Sequence, residues 1–335
     1  MAKNKNMINA KKAKNDEFYT QLSDVCNELT HNEYRDAFKG KWIYCNCDDP
    51  VGSAFWKFFS LNFTNLQLKQ LTSTHYDATK ATFRQDLLGD TNGDGIIDDK
   101  DIIITPLQGN GDFKNQECID ILKQVDIVVT NPPFSLFREY IDQLMTFGKK
   151  FVVIANNNSI SYRNIFDYVK DEKMWLGYSS NVSLEFQVPQ SYDISKSSSG
   201  RTDSNGNKFV KVPAISWWTN IDLNKRHQPL LLSKEYKGHE AEYPKYDNYD
   251  AINVNKVCDI PKDYLGVMGV PITYLGCHCP DQFEILEKTT RDSSFRNKEY
   301  TINDDPKFND RNGSPCIKIN NILKPIYARL LIKRK

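Results

Sequence analysis

The stretch Asp126-Ile127-Val128-Val129-Thr130-Asn131-Pro132-Pro133-Phe134 is the clearest indication of the fold in this sequence. Its β-branched run is typical of a buried strand, and the two prolines end that strand because neither can donate a ladder hydrogen bond. Apolar residues then recur at helical spacing, and Ser135 is suited to cap that helix. The pattern predicts a strand, a rigid turn and a helix. In open α/β sheets such a turn lies at the carboxyl end of a strand, where ligands bind.

The side chains of this turn suit an amino group that must be held in place. The Asn131 side-chain oxygen and the Pro132 carbonyl are two acceptors with fixed directions, and Phe134 adds a flat face beside them. Such acceptors can align a weakly nucleophilic nucleobase amine with an electrophile. Taken alone, the four residues from Asn131 to Phe134 also fit a proline-bounded turn with a capping asparagine.

Five blocks spread over nearly the whole chain carry a family resemblance. They are Asp16 to Thr20, Tyr44 to Pro50, Gly111 to Phe113, Asp126 to Tyr140 and Tyr243 to Leu275. In residues and in order they resemble the EcoRI-type modification methylases, which methylate adenine N6 in duplex DNA with S-adenosyl-L-methionine. The resemblance implies a flipped target adenine and a catalytic set of Asn131, Pro132, Pro133 and Phe134.

The resemblance also implies a cofactor site drawn from the first three blocks. The expected S-adenosyl-L-methionine contacts are Phe18, Tyr19, Thr20, Cys47, Asp48, Asp49, Pro50, Asp112 and Phe113. The turn that follows the second block departs from the glycine-rich turn of most methyltransferases, since Gly52 is the single glycine there. An acid for the cofactor ribose is expected after the next strand, and Asp77 is poorly placed for that contact.

The expected fold is α/β, a Rossmann-like class I methyltransferase sheet that is mostly parallel, with a C-terminal target-recognition region. Residues 1–15 are expected to form a basic N-terminal arm, 16–224 the catalytic domain and 225–335 the recognition region. The arm is either a solvated tail or a segment that contacts phosphates. Strands are expected over Trp42 to Cys45, Leu66 to Tyr76, Lys149 to Asn156, Ser183 to Val188 and Ile215 to Thr219.

Composition places few limits on function. The 335 residues include 44 basic and 43 acidic side chains, so any DNA surface must come from local clustering. The eight cysteines contain no Cys-x-x-Cys pair, and no metal site is expected. Without an apolar run of membrane-spanning length, the chain is expected to be soluble and cytoplasmic, with no membrane partner. It is also expected to be a monomer.

The stretch from Asp90 to Asp101 allows two interpretations. It matches the calcium-loop template at several positions, but Asp101 stands where that loop has a bidentate glutamate. The alternative is a β-hairpin, with Asn92-Gly93 as its turn and with Ile96-Ile97 and Ile102 to Ile104 as strand material. Because the segment lies between sheet strands, the hairpin is favoured.

From Lys225 the sequence turns to tyrosine, lysine and asparagine, which can meet base edges and phosphates. The Tyr243 to Leu275 run resembles its counterpart in the family closely enough to predict an AATT-centred site such as GAATTC. The composition of the Ser195 to Asn207 loop does not indicate which bases it would contact. Double-stranded DNA is the expected partner, and a cognate restriction endonuclease a possible genetic one. Methylation of RNA or protein glutamine, or an inactive DNA-recognition protein, are the alternatives.

Overall fold

The computed structural model describes residues 18–47, 49–77, 79–300, 313–320 and 322–335. The expected N-terminal arm, the first two residues of the Asp16 block and the predicted cofactor contact Asp48 lie outside these ranges. Two compact units divide the chain. The first runs to residue 169 and resumes over 173–222, and the second contains 170–172 and 223–335.

The first unit combines helices with a large sheet. Its α-helices are α1 (Leu22–Leu29), α2 (Asn32–Phe38), α3 (Ala54–Leu61), α4 (Gln116–Gln124), α5 (Phe137–Thr146) and α6 (Arg163–Lys170), the last ending at the boundary between the units. Its strands are β1 (Tyr19–Thr20), β2 (Trp42–Cys45), β3 (Gln70–Thr74), β4 (Phe83–Leu87), β5 (Ile102–Pro106), β6 (Ile127–Thr130), β7 (Lys150–Asn156), β8 (Trp175–Leu176), β9 (Val182–Val188), β10 (Arg201–Thr202) and β11 (Lys208–Thr219).

The sheet order is β1-β9-β11-β7-β6-β2-β3-β4-β5, with β8 and β10 also pairing with β11. Parallel pairing joins β3, β2, β6 and β7 at the centre. The pairs toward both edges are antiparallel, with β11 inserted between β7 and β9. The sheet is therefore parallel only at its centre, whereas the sequence predicted a mostly parallel sheet.

The central strands form where the apolar runs predicted them. All four residues of β6 are buried, and β7 is buried in every residue after Lys150, as expected for parallel strands covered on both faces. The strand predicted over Leu66 to Tyr76 is shorter, because the Leu66 amide donates to the Asn62 carbonyl and continues the turn after α3. Ser53 caps α3 by accepting a hydrogen bond from the Trp56 amide at 2.9 Å.

The start of α5 corrects one prediction. Ser135 does not cap the helix, which begins at Phe137 with Leu136 at the capping position. The Pro133 carbonyl accepts a hydrogen bond from the Leu136 amide at 2.9 Å, so a turn separates the strand from the helix. Phe134 lies in this turn, between the end of β6 and the start of α5.

A buried glutamate ties α1 to the segment before β9. Glu28 is fully buried and accepts hydrogen bonds from the Tyr34 hydroxyl and from the backbone amides of Tyr178 and Ser179, at 2.7–2.8 Å. Gly177 is required beside it, because a Cβ there would overlap the Glu28 carboxylate. The carboxylate therefore fixes the path of the chain into β9.

The Asp90 to Asp101 stretch is a hairpin loop with a different turn from the one predicted. β4 and β5 pair antiparallel, but Ile96 and Ile97 lie outside the strands, so their assignment as strand material and Asn92-Gly93 as a two-residue turn are wrong. Asp90 accepts from the amides of Gly93 and Gly95, and Asp101 closes the loop by accepting from Thr91, Asn92 and Asp98. No group of three metal-binding side chains suited to an ion occurs in the described ranges.

The second unit is built on small sheets. Its strands are β12 (Ile252–Asn253), β13 (Met268–Pro271), β14 (Phe283–Lys288), β15 (Cys316–Ile319), β16 (Ile322–Pro325) and β17 (Arg329–Arg334). One sheet has the order β12-β13-β17-β14, and β15 and β16 form a hairpin. Buried side chains add further hydrogen bonds within this unit.

Those side chains correct the interpretation of the tyrosine- and asparagine-rich run. Asn248 is fully buried, donates to the Ser314 carbonyl at 2.9 Å and accepts from the Cys316 amide at 2.8 Å. The Tyr246 hydroxyl donates to the Asn253 side-chain oxygen at 2.8 Å, and both residues are buried. Because these amides hold the unit together, they are not the base-reading side chains that composition suggested. Exposed members of the same run are Lys234, Lys237, Lys245 and Asn255.

Candidate active site

Asn131 lies at the carboxyl end of β6 and is 7% exposed. Its Nδ2 donates to the Phe18 carbonyl at 2.7 Å, which fixes the orientation of the amide. Its Oδ1 is buried and accepts no hydrogen bond from any described residue. A buried acceptor without a partner is unfavourable by about 1–3 kcal/mol, so this oxygen is available to a donor that enters the site.

Aromatic rings surround this amide. The Phe134 and Phe18 rings are stacked with centroids 5.6 Å apart and planes at 17°. Phe186 of β9 packs its edge against both rings, and Tyr192 packs edge-on against Phe18. The structure therefore brings two predicted residues from distant blocks, Phe18 and Phe134, to the same place.

The two residues after Phe18 enter the sheet. Tyr19 and Thr20 form β1 and pair with Gln187 and Phe186 of β9. Thr20 is buried, and its Oγ1 has no hydrogen-bond partner within the described ranges. The first predicted cofactor block is thus held beside the aromatic group by backbone pairing.

The end of β2 carries a second set of polar groups. The Cys47 amide donates to the Thr130 hydroxyl at 3.1 Å, which joins the end of β2 to the residue before Asn131. The Tyr140 hydroxyl donates to the Asn46 side-chain oxygen. Burial, and after it the nearby Cys47 thiol, hold the pKa of Tyr140 well above its ordinary value of 10.0, so the hydroxyl stays protonated as a donor.

The Asn46 amide was missed by the sequence reasoning. It is 2% exposed, and its Nδ2 has no hydrogen-bond partner among the described residues. Its place directly after a buried strand was the signal that could have found it. Tyr140 was predicted only as part of the apolar stripe of α5, because its spacing matches that of the core residues.

Asp49 and Pro50 form the turn after β2. Asp49 accepts from the Val51 amide at 3.0 Å, and its carboxylate lies 3.3 Å from Nδ1 of His75, which follows β3. Pro50 is buried. The Gly52 amide donates to the Asp49 carbonyl, so an aspartate-closed turn stands where other methyltransferases have a glycine-rich one.

The Gly111-Asp112-Phe113 block lies against the end of β3. Gly111 has a φ of +73°, and a Cβ there would overlap the His75 carbonyl, so only glycine fits. Asp112 accepts from the Lys114 amide at 2.9 Å. Phe113 is buried, and its ring meets the Tyr140 ring edge-on at 5.0 Å. This block therefore shares Tyr140 with the end of β2.

Asp77 is engaged elsewhere. Its carboxylate accepts from the backbone amides of Thr79 and Lys80 and from the Thr79 hydroxyl. These bonds, the Thr79 amide first, lower the pKa of Asp77 from 3.8. Its carboxylate closes a local turn, which agrees with its poor placement for a cofactor ribose.

The strand order and the residues gathered at the carboxyl ends of β2, β3 and β6 define a class I methyltransferase. A family model described as "Adenine-specific methyltransferase EcoRI" matches residues 6–335. The chain belongs to this family and is an adenine-specific DNA methyltransferase.

Individual relatives agree with the family match. The chain is 48% identical over 296 residues to the type II methyltransferase M.EcoRI of Escherichia coli, covering 85% of this chain and 90% of that protein. It is 43% identical to M.MgeORF184P of Mycoplasma genitalium and to M.MpnI of Mycoplasma pneumoniae, each alignment covering 83% of this chain and 84% of the relative. No solved structure matches the chain. Among the described helices, none has the length and apolar character needed to cross a membrane.

Proposed function

We propose that this protein is a site-specific methyltransferase that transfers a methyl group from S-adenosyl-L-methionine to N6 of an adenine flipped out of duplex DNA. The observation that carries the proposal is Asn131, a buried amide with a fixed orientation and a partnerless Oδ1 beside the Phe134 ring. An exocyclic amine brings the donor that this oxygen lacks.

The target amine would be held by two acceptors. Asn131 Oδ1 is one, and the carbonyl of buried Pro132 is the other. Pro133 fixes the backbone between Pro132 and the Phe134 ring, since its carbonyl closes the turn to α5. Both acceptors are set before the base arrives, so little reorganisation is required when it binds.

The residues present fit the cofactor. Thr20 and Asn46, from two of the predicted blocks, each have a buried polar atom without a hydrogen-bond partner among the described residues, and these atoms match a ligand rich in hydroxyl, carboxylate and ring acceptors. Close approach of the backbone is possible at Gly111. Of the contacts that the family resemblance implies, we assign to the cofactor Tyr19, Thr20, Cys47, Asp48, Asp49, Pro50, Asp112 and Phe113, with Asn46 added. When bound, the cofactor supplies an electrophilic methyl group on a sulfonium.

DNA recognition is assigned to residues 225–335. Exposed lysines, among them Lys234, Lys237 and Lys245, can meet phosphates, while the buried tyrosines and asparagines keep the unit in shape. The identity to M.EcoRI over most of the chain supports an AATT-centred site, because recognition depends on side chains placed against base edges. A basic arm at residues 1–15, a monomeric cytoplasmic enzyme and a cognate restriction endonuclease complete the proposal.

A methyl-transfer assay with the purified chain tests the proposal. Labelled S-adenosyl-L-methionine is offered with duplex DNA, with RNA and with protein, and the products are digested and separated. We expect label in N6-methyladenine from duplex DNA. Label confined to RNA or to protein glutamine would identify the alternative enzymes, and no transfer despite cofactor binding would identify an inactive DNA-recognition protein.

A further inference from the structure

Phe18 covers both groups proposed to hold the target adenine. Its ring stacks on Phe134 at a centroid distance of 5.6 Å, within the range of offset aromatic pairs. Its carbonyl accepts from Asn131 Nδ2 at 2.7 Å. One residue therefore contacts both Asn131 and Phe134, and its ring lies on one face of the Phe134 ring.

We infer that Phe18 belongs to the target-base site, where its ring holds the place of the flipped adenine on Phe134 until DNA binds. The inference rests on the proposed function. It differs from the role that the family resemblance implies for Phe18, which is a contact with the cofactor.

The space between the two rings is too small for a base. A nucleobase between Phe18 and Phe134 needs about 7 Å between the ring planes, twice a contact of about 3.5 Å. The centroids are only 5.6 Å apart, and the Phe186 ring packs at a steep angle to both. Adenine can therefore stack on this face of Phe134 only if the Phe18 ring leaves it.

The polar contacts favour this exchange. Asn131 Oδ1 is buried and without a partner within the described residues, and the amine of an incoming adenine would satisfy it. The bond from Asn131 Nδ2 to the Phe18 backbone can persist while the ring rotates away. Asn131 would then keep the same orientation before and after the base enters.

Phe18 lies next to the edge of the sheet, so moving its ring requires little free energy. It precedes β1, a strand of two residues that pairs only with β9 at the sheet edge. Besides Asn131 and Phe134, the described residues whose rings pack against it are Phe186 and Tyr192. Short edge elements of this kind are displaced more easily than central strands.

Substitution of the ring separates the two roles of Phe18. In a duplex with one methylatable site, 2-aminopurine replaces the target adenine, and its fluorescence reports the flipped base. For Phe18→Ala we expect at least a twofold higher flipped fraction than for the wild type, with cofactor affinity unchanged within threefold. An unchanged or lower flipped fraction, or a tenfold loss of cofactor affinity, would overturn the inference.

A label at position 18 tests the displacement without removing the ring. With 4-fluorophenylalanine at position 18, we expect the ¹⁹F resonance to shift on binding the intact duplex and to stay in place with a duplex that is abasic at the target. The same label at Phe147, on the far end of α5, is the control. A protein that methylates the intact duplex but gives the same resonance with both duplexes overturns the inference alone. Absence of methylation overturns the proposed function.

Discussion

Asn131 is the residue on which the proposed chemistry depends. Asn131→Ala removes the acceptor for the target amine and leaves the end of β2 intact. We expect methylation to fall by roughly a hundredfold or more, as for removal of a preorganised transition-state contact, while cofactor affinity persists. Initial rates measure the loss of methylation, and calorimetry measures the cofactor affinity. Near-normal turnover would refute the catalytic assignment.

Asp112 should show the reverse pattern. Its block lies against the end of β3 and shares Tyr140 with the end of β2. We expect Asp112→Ala to weaken cofactor binding by roughly tenfold or more, as for loss of a charged hydrogen bond. Asp120→Ala, which removes an exposed ion pair with Lys123, is the matched control. Equal cofactor affinities of the wild type and Asp112→Ala in calorimetry would show that this cofactor contact is made elsewhere.

Individual residues of the site were predictable where type and position agreed. Asn131 and Phe134 follow a proline-ended strand, and that pattern carries the prediction without tertiary information. The stack of Phe18 on Phe134 depends on a contact between blocks more than a hundred residues apart in the sequence. Sequence spacing contains no signal for such contacts.

At the scale of elements, Glu28 links α1 to the segment before β9. Removing a buried carboxylate with three donors leaves the Tyr34 hydroxyl and two backbone amides unsatisfied. We expect Glu28→Ala to lower the free energy of unfolding by about 3 kcal/mol or more. Urea denaturation measures the change, with exposed Asp36→Ala as the control. A change within 0.5 kcal/mol, about the size of an ordinary surface substitution, would show that the contact is dispensable.

The β4–β5 loop gives a prediction about calcium. Backbone amides already occupy the Asp90 and Asp101 carboxylates. If these bonds alone hold the loop, adding calcium or a chelator leaves the melting temperature unchanged, since only a ligand of the native state raises it. A melting temperature that rises with calcium would show instead that the loop is a cation site.

Asp247 of the second unit predicts an acid-dependent loss of stability. The Tyr300 hydroxyl first, and then Lys318 and Lys298, lower its pKa from 3.8 to about 2. A lowered pKa in the folded state stabilises the protein above pH 3.8, and that contribution is lost as the pH falls toward 2. Asp247→Asn should therefore flatten the change of stability between about pH 4 and pH 2. An unchanged pH dependence in denaturation curves would contradict this role.

Elements were predicted best at the centre of the sheet. β2, β6 and β7 follow continuous apolar runs, which are typical of strands buried on both faces. The antiparallel edges were not foreseen, because pairing direction depends on connections and not on composition. In the second unit, the tyrosine and asparagine content predicted a surface that contacts DNA bases. The structure instead buries several of these residues with their hydrogen bonds satisfied, so they form part of the core.

At the scale of the whole molecule, the proposed function assigns methyl transfer to the first unit and site recognition to the second. Modified-base sequencing of DNA from cells that express this chain alone tests the specificity. We expect N6-methyladenine at an AATT-centred motif, at the adenine nearer the centre. Methylation confined to motifs without AATT would refute that site and leave the chemistry intact.

The most direct measurement compares the wild type with Asn131→Ala on duplex DNA. Each purified protein is incubated with S-adenosyl-L-methionine and the duplex, and the digested nucleosides are quantified by mass spectrometry. We predict N6-methyladenine with the wild type and a loss of roughly a hundredfold or more with the variant, at equal cofactor binding. Equal N6-methyladenine from both proteins, or none from a folded wild type that binds the cofactor, would contradict the proposed function.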